Sequence, residues 1–377
     1  MANNLSGSIP NEINYFTDLE TLDLYYNKLL GAIPDLSQLI KLRQFDVDGN
    51  MLSGMAPESL FNLPSIVNMY LLNNKDLTGT IPVIGDSSRL EKLSILGCSF
   101  TGSIPQSLTA VSTLRLLQMK DNAISGTIPA GLLSLPALET LGLHGNRLVG
   151  SIPSIDATAT GTNGSALRSL SLGSNSLEGS LPDGIDTLTA LQFLYAHDNA
   201  LTGVIRNEIV ALPLLEQLWL YENKLTGEIP DFTSSSNTLT DLFLSDNDLS
   251  GNLQDLLASA PTSIERIDVS NNNIRGFISD DINQLTKVQT FAVAGNKLTG
   301  VIPEDIMNLV SLTSFDFSSN PFLEGDLTST ICTTPAIANE LIFAAADCDG
   351  GDPVRVNCDC CTECCDRSGE CTPNNSD

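Results

Sequence analysis

Leucines and isoleucines recur along this chain with a period near 24 residues, far longer than the 3.6 of a helix face or the 2 of a strand face. Each period opens on L-x-x-L-x-L-x-x, passes an asparagine and closes on G-x-I-P; residues 215–230, LEQLWLYENKLTGEIP, are one clean copy. Copies register on Asn3, Asn27, Asn50, Asn74, Cys98, Asn122, Asn146, Asn175, Asn199, Asn223, Asn247, Asn272, Asn296 and Asn320. Within L-x-L, strand alternation sends the leucines to one side and the x residues to the other. A single unit cannot bury its leucines, whereas stacked units bury them against their neighbours. The pattern therefore predicts a repeat array with one parallel strand per copy. The asparagine, facing inward after the strand, can bond backbone groups that the turn leaves unpaired, forming a ladder. Glycine permits the tight turn, and proline fixes φ where no N–H is needed. The glycine is kept throughout, while Arg206, Gln254, Ser279 and Thr328 replace the proline. Those four positions are expected to weaken a second strand locally.

Over residues 1–328 this motif resembles the leucine-rich repeat in its plant-specific class. The resemblance implies an α/β repeat solenoid, a curved horseshoe with a parallel concave sheet, with about 14 repeats of about 24 residues. The first copy lacks its own strand, and MANNLSGSIP has neither the charged nor the apolar region of a signal peptide. We read the N-terminal cap as missing and the chain as beginning inside a longer protein. The step from Asn146 to Asn175 is 29 residues; its extra length falls in a polar loop, 154–166. Asn163 in that loop, with Asn4 and Asn374, is a glycosylation candidate.

Residues 329–377 differ in kind and read as a cysteine-rich C-terminal cap. Residues 335–346, PAIANELIFAAA, suit a final helix or strand against the last repeat. Eight of the nine cysteines lie in this part of the chain: Cys332, Cys348, Cys358, Cys360, Cys361, Cys364, Cys365 and Cys371. An even, dense set reads as disulfide staples of open connectivity, in an oxidising compartment. Close spacing also suits a metal site, but no histidine lies nearby and two clean C-x2-C knuckles are lacking. The string CDCCTECC resembles the C-terminal segment of leucine-rich repeat proteins of diatoms, which implies a secreted or surface protein. Cys98 stands at the ladder position and is expected to be a buried structural thiol.

Composition narrows the function. Lys and Arg number 18 against 45 Asp and Glu, for a net charge of −27. That excludes nucleic acid as a partner and disfavours an anionic membrane surface. No apolar run is long enough to span a bilayer, so membrane attachment would need a part outside this chain or a partner. No Walker A loop, G-x-S-x-G, H-E-x-x-H or H-R-D occurs, and only His144 and His197 are available as imidazoles. No enzyme, cofactor or metal site is expected. Asp46-Val-Asp48 looks like the start of a calcium loop, but it lies on an expected strand and the twelve-residue loop does not continue; Asp347, Asp349 and Asp352 read as a solvated acidic loop.

The candidate site comes from the x positions. The first x column runs Asp23, Asp46, Tyr70, Ser94, Gln118, Gly142, Ser171, Tyr195, Trp219, Phe243, Asp268, Ala292, Asp316. Adjacent strands thus place Tyr195, Trp219 and Phe243 side by side. Phe193 precedes them, His197 and Tyr221 occupy the next column, and Asp198, Glu222 and Asp246 the one after. In a chain with 5% aromatics, such clustering on an open face points to binding: rings supply stacking area and carboxylates attract a cationic group. Cross-strand packing alone is the competing reading. Tyr25, Tyr26 and Tyr70 form a secondary patch. The resemblance implies an extracellular module recognising a peptide, protein or glycan on its concave face. A secreted inhibitor of a cell-wall hydrolase and a structural surface protein are the alternatives.

Overall fold

A computed structural model describes residues 3–85, 88–156, 166–233, 235, 237–348, 356–366 and 370–373. The chain forms two compact units, residues 1–191 and 192–377. In the first, the strands Thr21–Asp23, Gln44–Asp46, Asn68–Tyr70, Lys92–Ser94, Leu116–Gln118, Thr140–Gly142 and Ser169–Ser171 pair in parallel, each with the next. In the second, Phe193–Tyr195, Gln217–Trp219, Asp241–Phe243, Arg266–Asp268, Thr290–Ala292 and Ser314–Asp316 do the same. The central residue of every one of these strands is buried. The repeat register read from the sequence is the observed register within each unit. The fold is a leucine-rich repeat solenoid.

The asparagine ladder supplies the polar half of the interior. Asn247 donates from Nδ2 to the carbonyls of Leu220, Leu244 and Ser245 at 3.0–3.1 Å, and its Oδ1 accepts the Leu225 N–H at 2.9 Å. Asn272 repeats the set one copy on, with Leu244, Val269, Ser270 and Leu249. Each side chain thus satisfies backbone groups of its own turn and of the preceding copy. Cys98 stands in the same place with less to offer. Its Sγ donates to the Leu71 carbonyl at 3.2 Å, and burial pushes its thiol up to about 11. It is the one free cysteine among the described residues.

A second row of short strands follows the ladder residues, such as Lys28–Gly31, Met51–Met55 and Asp76–Thr80. The proline replacements act on it unequally. Full strands, Ala200–Val204 and Phe322–Asp326, precede Arg206 and Thr328. Ahead of Gln254 and Ser279 only the bridges Glu228–Ser250 and Asn252–Arg275 form, and the helix Leu253–Ser259 takes over. The strand is made before the proline position is reached, so loss of proline does not by itself dissolve it.

The strand ladder runs past residue 328. After the helix Pro335–Ala338, Phe343–Ala346 pairs in parallel with Ser314–Asp316, then with Glu363–Cys365; Cys371–Pro373 closes the row antiparallel. Both carboxylate oxygens of Asp347 accept backbone N–H groups, from Ser319 at 2.6 Å and Asn320 at 3.0 Å. All eight cysteines pair, as Cys332–Cys360, Cys348–Cys364, Cys358–Cys361 and Cys365–Cys371. Asn163, Asn374, Asp349 and Asp352 lie outside the described residues. Asn4 is exposed.

Replacing Asn247 by Ala should cost about 2–4 kcal/mol in denaturant unfolding, because several buried backbone groups lose their partner. Cys98→Asn should move the other way by about 1 kcal/mol, as the full hydrogen-bond set is restored.

Candidate functional site on the outward sheet face

The aromatic row exists as an arrangement of rings. Register pairs Tyr195 with Trp219 and Trp219 with Phe243. Their ring centroids lie 4.4 and 5.5 Å apart, tilted by 39° and 41°. Phe193 stacks on Tyr195 at 6.2 Å, since residues two apart on a strand share a face. Tyr221 stacks on His197 at 4.5 Å, nearly parallel. The five aromatic side chains are half-buried, whereas His197 is only 7% exposed. His197 therefore underlies Tyr221 and Trp219 rather than offering surface of its own. Burial first, then the carboxylates of Asp241 and Glu216, hold the Tyr195 hydroxyl above the usual phenol range. Tyr221 is likewise raised, mainly by burial and secondarily by Glu222 and Asp198. Both rings are neutral hydrogen-bonding groups at physiological pH. The Trp219 Nε1–H is buried and has no acceptor among the described residues.

The carboxylate column has a conformational origin. Asp198, Glu222 and Asp246 have φ of 51°, 53° and 55°, and Asn271 and Ser319 share this left-handed region one and three copies further on. Asp and Asn tolerate it; Glu does so less readily. Asp246 accepts a hydrogen bond from Asn271 Nδ2 at 2.9 Å. The side chains of Asp198 and Glu222 are exposed and make no hydrogen bond or ion pair among the described residues. Turn geometry accounts for Asp198 and Asp246, but not for Glu222.

Three neighbours were missed by reading only the later columns. Gln217 accepts the Tyr195 hydroxyl proton. Arg266 donates from Nε and a terminal nitrogen to the two oxygens of Asp241, each at 2.7 Å, and Asp241 is fully buried. A fixed, two-pronged ion pair of this kind stiffens the edge of the row beside Phe243. All three sit two residues before the aromatic column, where strand alternation already places them on the same face.

The tyrosines of the secondary patch divide. Tyr25 and Tyr26 meet edge to face at 5.7 Å. Tyr26, at φ 47°, lies over Gly49 of the next copy, where an added Cβ would fall 2.6 Å from its ring. No ring contact joins Tyr70 to either among the described residues. Tyr70 lies instead in register with Asp46 and Ser94.

These features define a repeat solenoid whose outward face carries a continuous aromatic surface. The family model described as Leucine Rich Repeat matches residues 18–39, 166–188 and 263–285. Receptor-like protein 6 of Arabidopsis thaliana is 32% identical over 106 residues, 28% of this chain and 11% of the relative. Receptor-like protein 41 of the same plant is 31% identical over 119 residues, covering 31% and 14%. Among solved structures, the PEPR1–AtPEP1 crystal structure superposes with a TM-score of 0.81 at 29% identity, covering 91% of this chain and 47% of that one. The plant peptide hormone receptor RGFR1 in complex with RGF2 gives 0.77 at 30% identity, covering 92% and 57%. The chain thus spans about half the length of those two solved chains and far less of the receptor-like proteins. By fold the chain is a leucine-rich repeat solenoid, and over the stretches covered it is similar to plant receptor-like proteins. Among its described residues no helix is long and apolar enough to cross a membrane.

Glu222→Gly should stabilise the protein by about 1 kcal/mol in chemical denaturation, by relieving a left-handed backbone position that suits glycine. Loss of stability instead would mean that the Glu222 side chain holds the turn.

Proposed function

We propose that this chain is the extracellular recognition part of a receptor-like protein, and that the face around Trp219 binds a peptide. The observation that carries the reading is the run of half-exposed rings Phe193, Tyr195, Trp219, Phe243 and Tyr221. Flat aromatic surface of this extent loses little side-chain entropy on binding and is the usual material of binding hot spots. Exposed Asp198 and Glu222 beside it favour a peptide with a lysine, arginine or free amine near the rings. One solved structure of similar fold is described as a plant peptide hormone receptor in complex with RGF2, which supports the same ligand class. Four disulfides support an oxidising, extracellular setting.

Trp219 is the only tryptophan, so its fluorescence reports the site directly. Titration with short peptides, with and without lysine or arginine, should shift and quench the emission for the basic set. Trp219→Ala should keep the circular dichroism of the fold and weaken peptide binding, measured by calorimetry, by about 2 kcal/mol or more. Equal affinity in the variant would remove the row from the binding site.

A further inference from the structure

A different part of the outward face, in the first unit, holds three side-chain oxygens without a hydrogen-bond partner among the described residues. They are Asn68 Oδ1, Ser94 Oγ and Gln118 Oε1. They stand on consecutive strands, with Asn68 in register with Lys92, and Tyr70, Ser94, Gln118 and Gly142 in one line. Ser94 is only 2% exposed, although it sits on the open side of the sheet. Buried oxygens of this kind normally have partners, and three successive exceptions call for a donor from outside. Gly142, without a side chain, leaves room for the Gln118 side chain to lie over it. A Cβ there would collide with Gln118 Oε1 and come within 2.8 Å of the Lys120 side chain.

Cations gather next to the residue that precedes Asn68. A cavity of about 270 Å³ is lined by Glu20, Lys41, Arg43, Ser65, Val67 and Arg89. Val67 leads directly into Asn68. A chain with 18 cations and a net charge of −27 places three of them around one cavity. Lys41 is paired with Asp18 at 2.6 Å. Arg43 and Arg89 have no carboxylate partner among the described residues. Lys92 and Lys120, both half-buried, add two amines on the face itself.

We propose that these repeats bind an acidic saccharide. Its hydroxyls donate to Asn68, Ser94 and Gln118, a sugar face rests on the Tyr70 ring, and its carboxylates reach Arg43 and Arg89. A saccharide fits better than a peptide strand for two reasons. Ser94 and Gln118 stand in line on adjacent strands about 4.8 Å apart, with Asn68 two residues off that line, whereas an extended peptide directs N–H groups to one side only about every 6.8 Å. Ser94 and Gln118 can both donate and accept, as sugar hydroxyls do. This site is separate from the Trp219 row and does not depend on it.

The test is calorimetric titration of the full chain with a galacturonic-acid hexasaccharide, a glucose hexasaccharide and a hexa-aspartate peptide. The proposal expects the acidic sugar to bind, and to bind better than the other two. Replacing Arg43 and Arg89 together by Ala should weaken it by about tenfold or more, as loss of charge-assisted hydrogen bonds does. Ser94→Ala and Gln118→Ala should each weaken it further, with circular dichroism unchanged, while Trp219→Ala leaves it intact. No binding of the acidic sugar overturns the proposal, as does equal binding of the neutral sugar or of the aspartate peptide. Loss of binding in Trp219→Ala also overturns it, by moving the ligand to the aromatic row.

Discussion

The ladder of inward asparagines is the constraint on which the rest depends. A repeat strand only three residues long leaves turn carbonyls and amides unpaired inside a leucine core. Burying them without partners would undo much of what leucine burial contributes. One amide side chain per copy resolves this in a fixed geometry, three carbonyls accepting and one N–H donating, as at Asn247 and Asn272. Its bonds reach into the copy before, so each repeat is polar-matched to its neighbour as well as packed against it. The strand register, and hence every column on the outer face, follows from that match.

The fold was legible because its signal is repeated. The spacing of Asn27 to Asn50 to Asn74 placed Asp23, Asp46 and Tyr70 in one column, and the observed pairing has them so. The aromatic neighbours Tyr195, Trp219 and Phe243 were legible for the same reason. What escaped the sequence depends on three-dimensional neighbours rather than on period. The burial of His197 is caused by the rings above it. The Asp241–Arg266 pair needs two side chains of complementary reach on adjacent strands. The effect of the missing prolines was read as uniform, yet it varies because strand formation is decided by residues ahead of them. The disulfide partners could not be read at all, since eight cysteines carry no spacing rule.

The two units use their outer faces differently. In the second, aromatic rings and a fixed ion pair make a flat, stiff surface. In the first, Ser94, Gln118 and Gly142 make a line of small and polar residues, with Lys92 and Lys120 on the same strands or just after them. The same repeat thus carries two surfaces of different character, and within each unit the ladder holds the columns in register without taking part in the surface.

The left-handed residue that precedes each ladder position has a consequence for how such a face changes over generations. Tyr26, Asn73, Asp121, Ser174, Asp198, Glu222, Asp246, Asn271 and Ser319 all hold that conformation, and Gly49, Gly97, Gly145 and Gly295 fill it elsewhere. Most are residue types with little steric penalty there. The positions before it are free of this restriction. A substitution in the columns of Trp219 or Tyr221 alters only chemistry, whereas one in the column of Glu222 must also satisfy the backbone. The writable alphabet of the surface therefore narrows from one column to the next, and new specificities should arise first along the wide-alphabet columns.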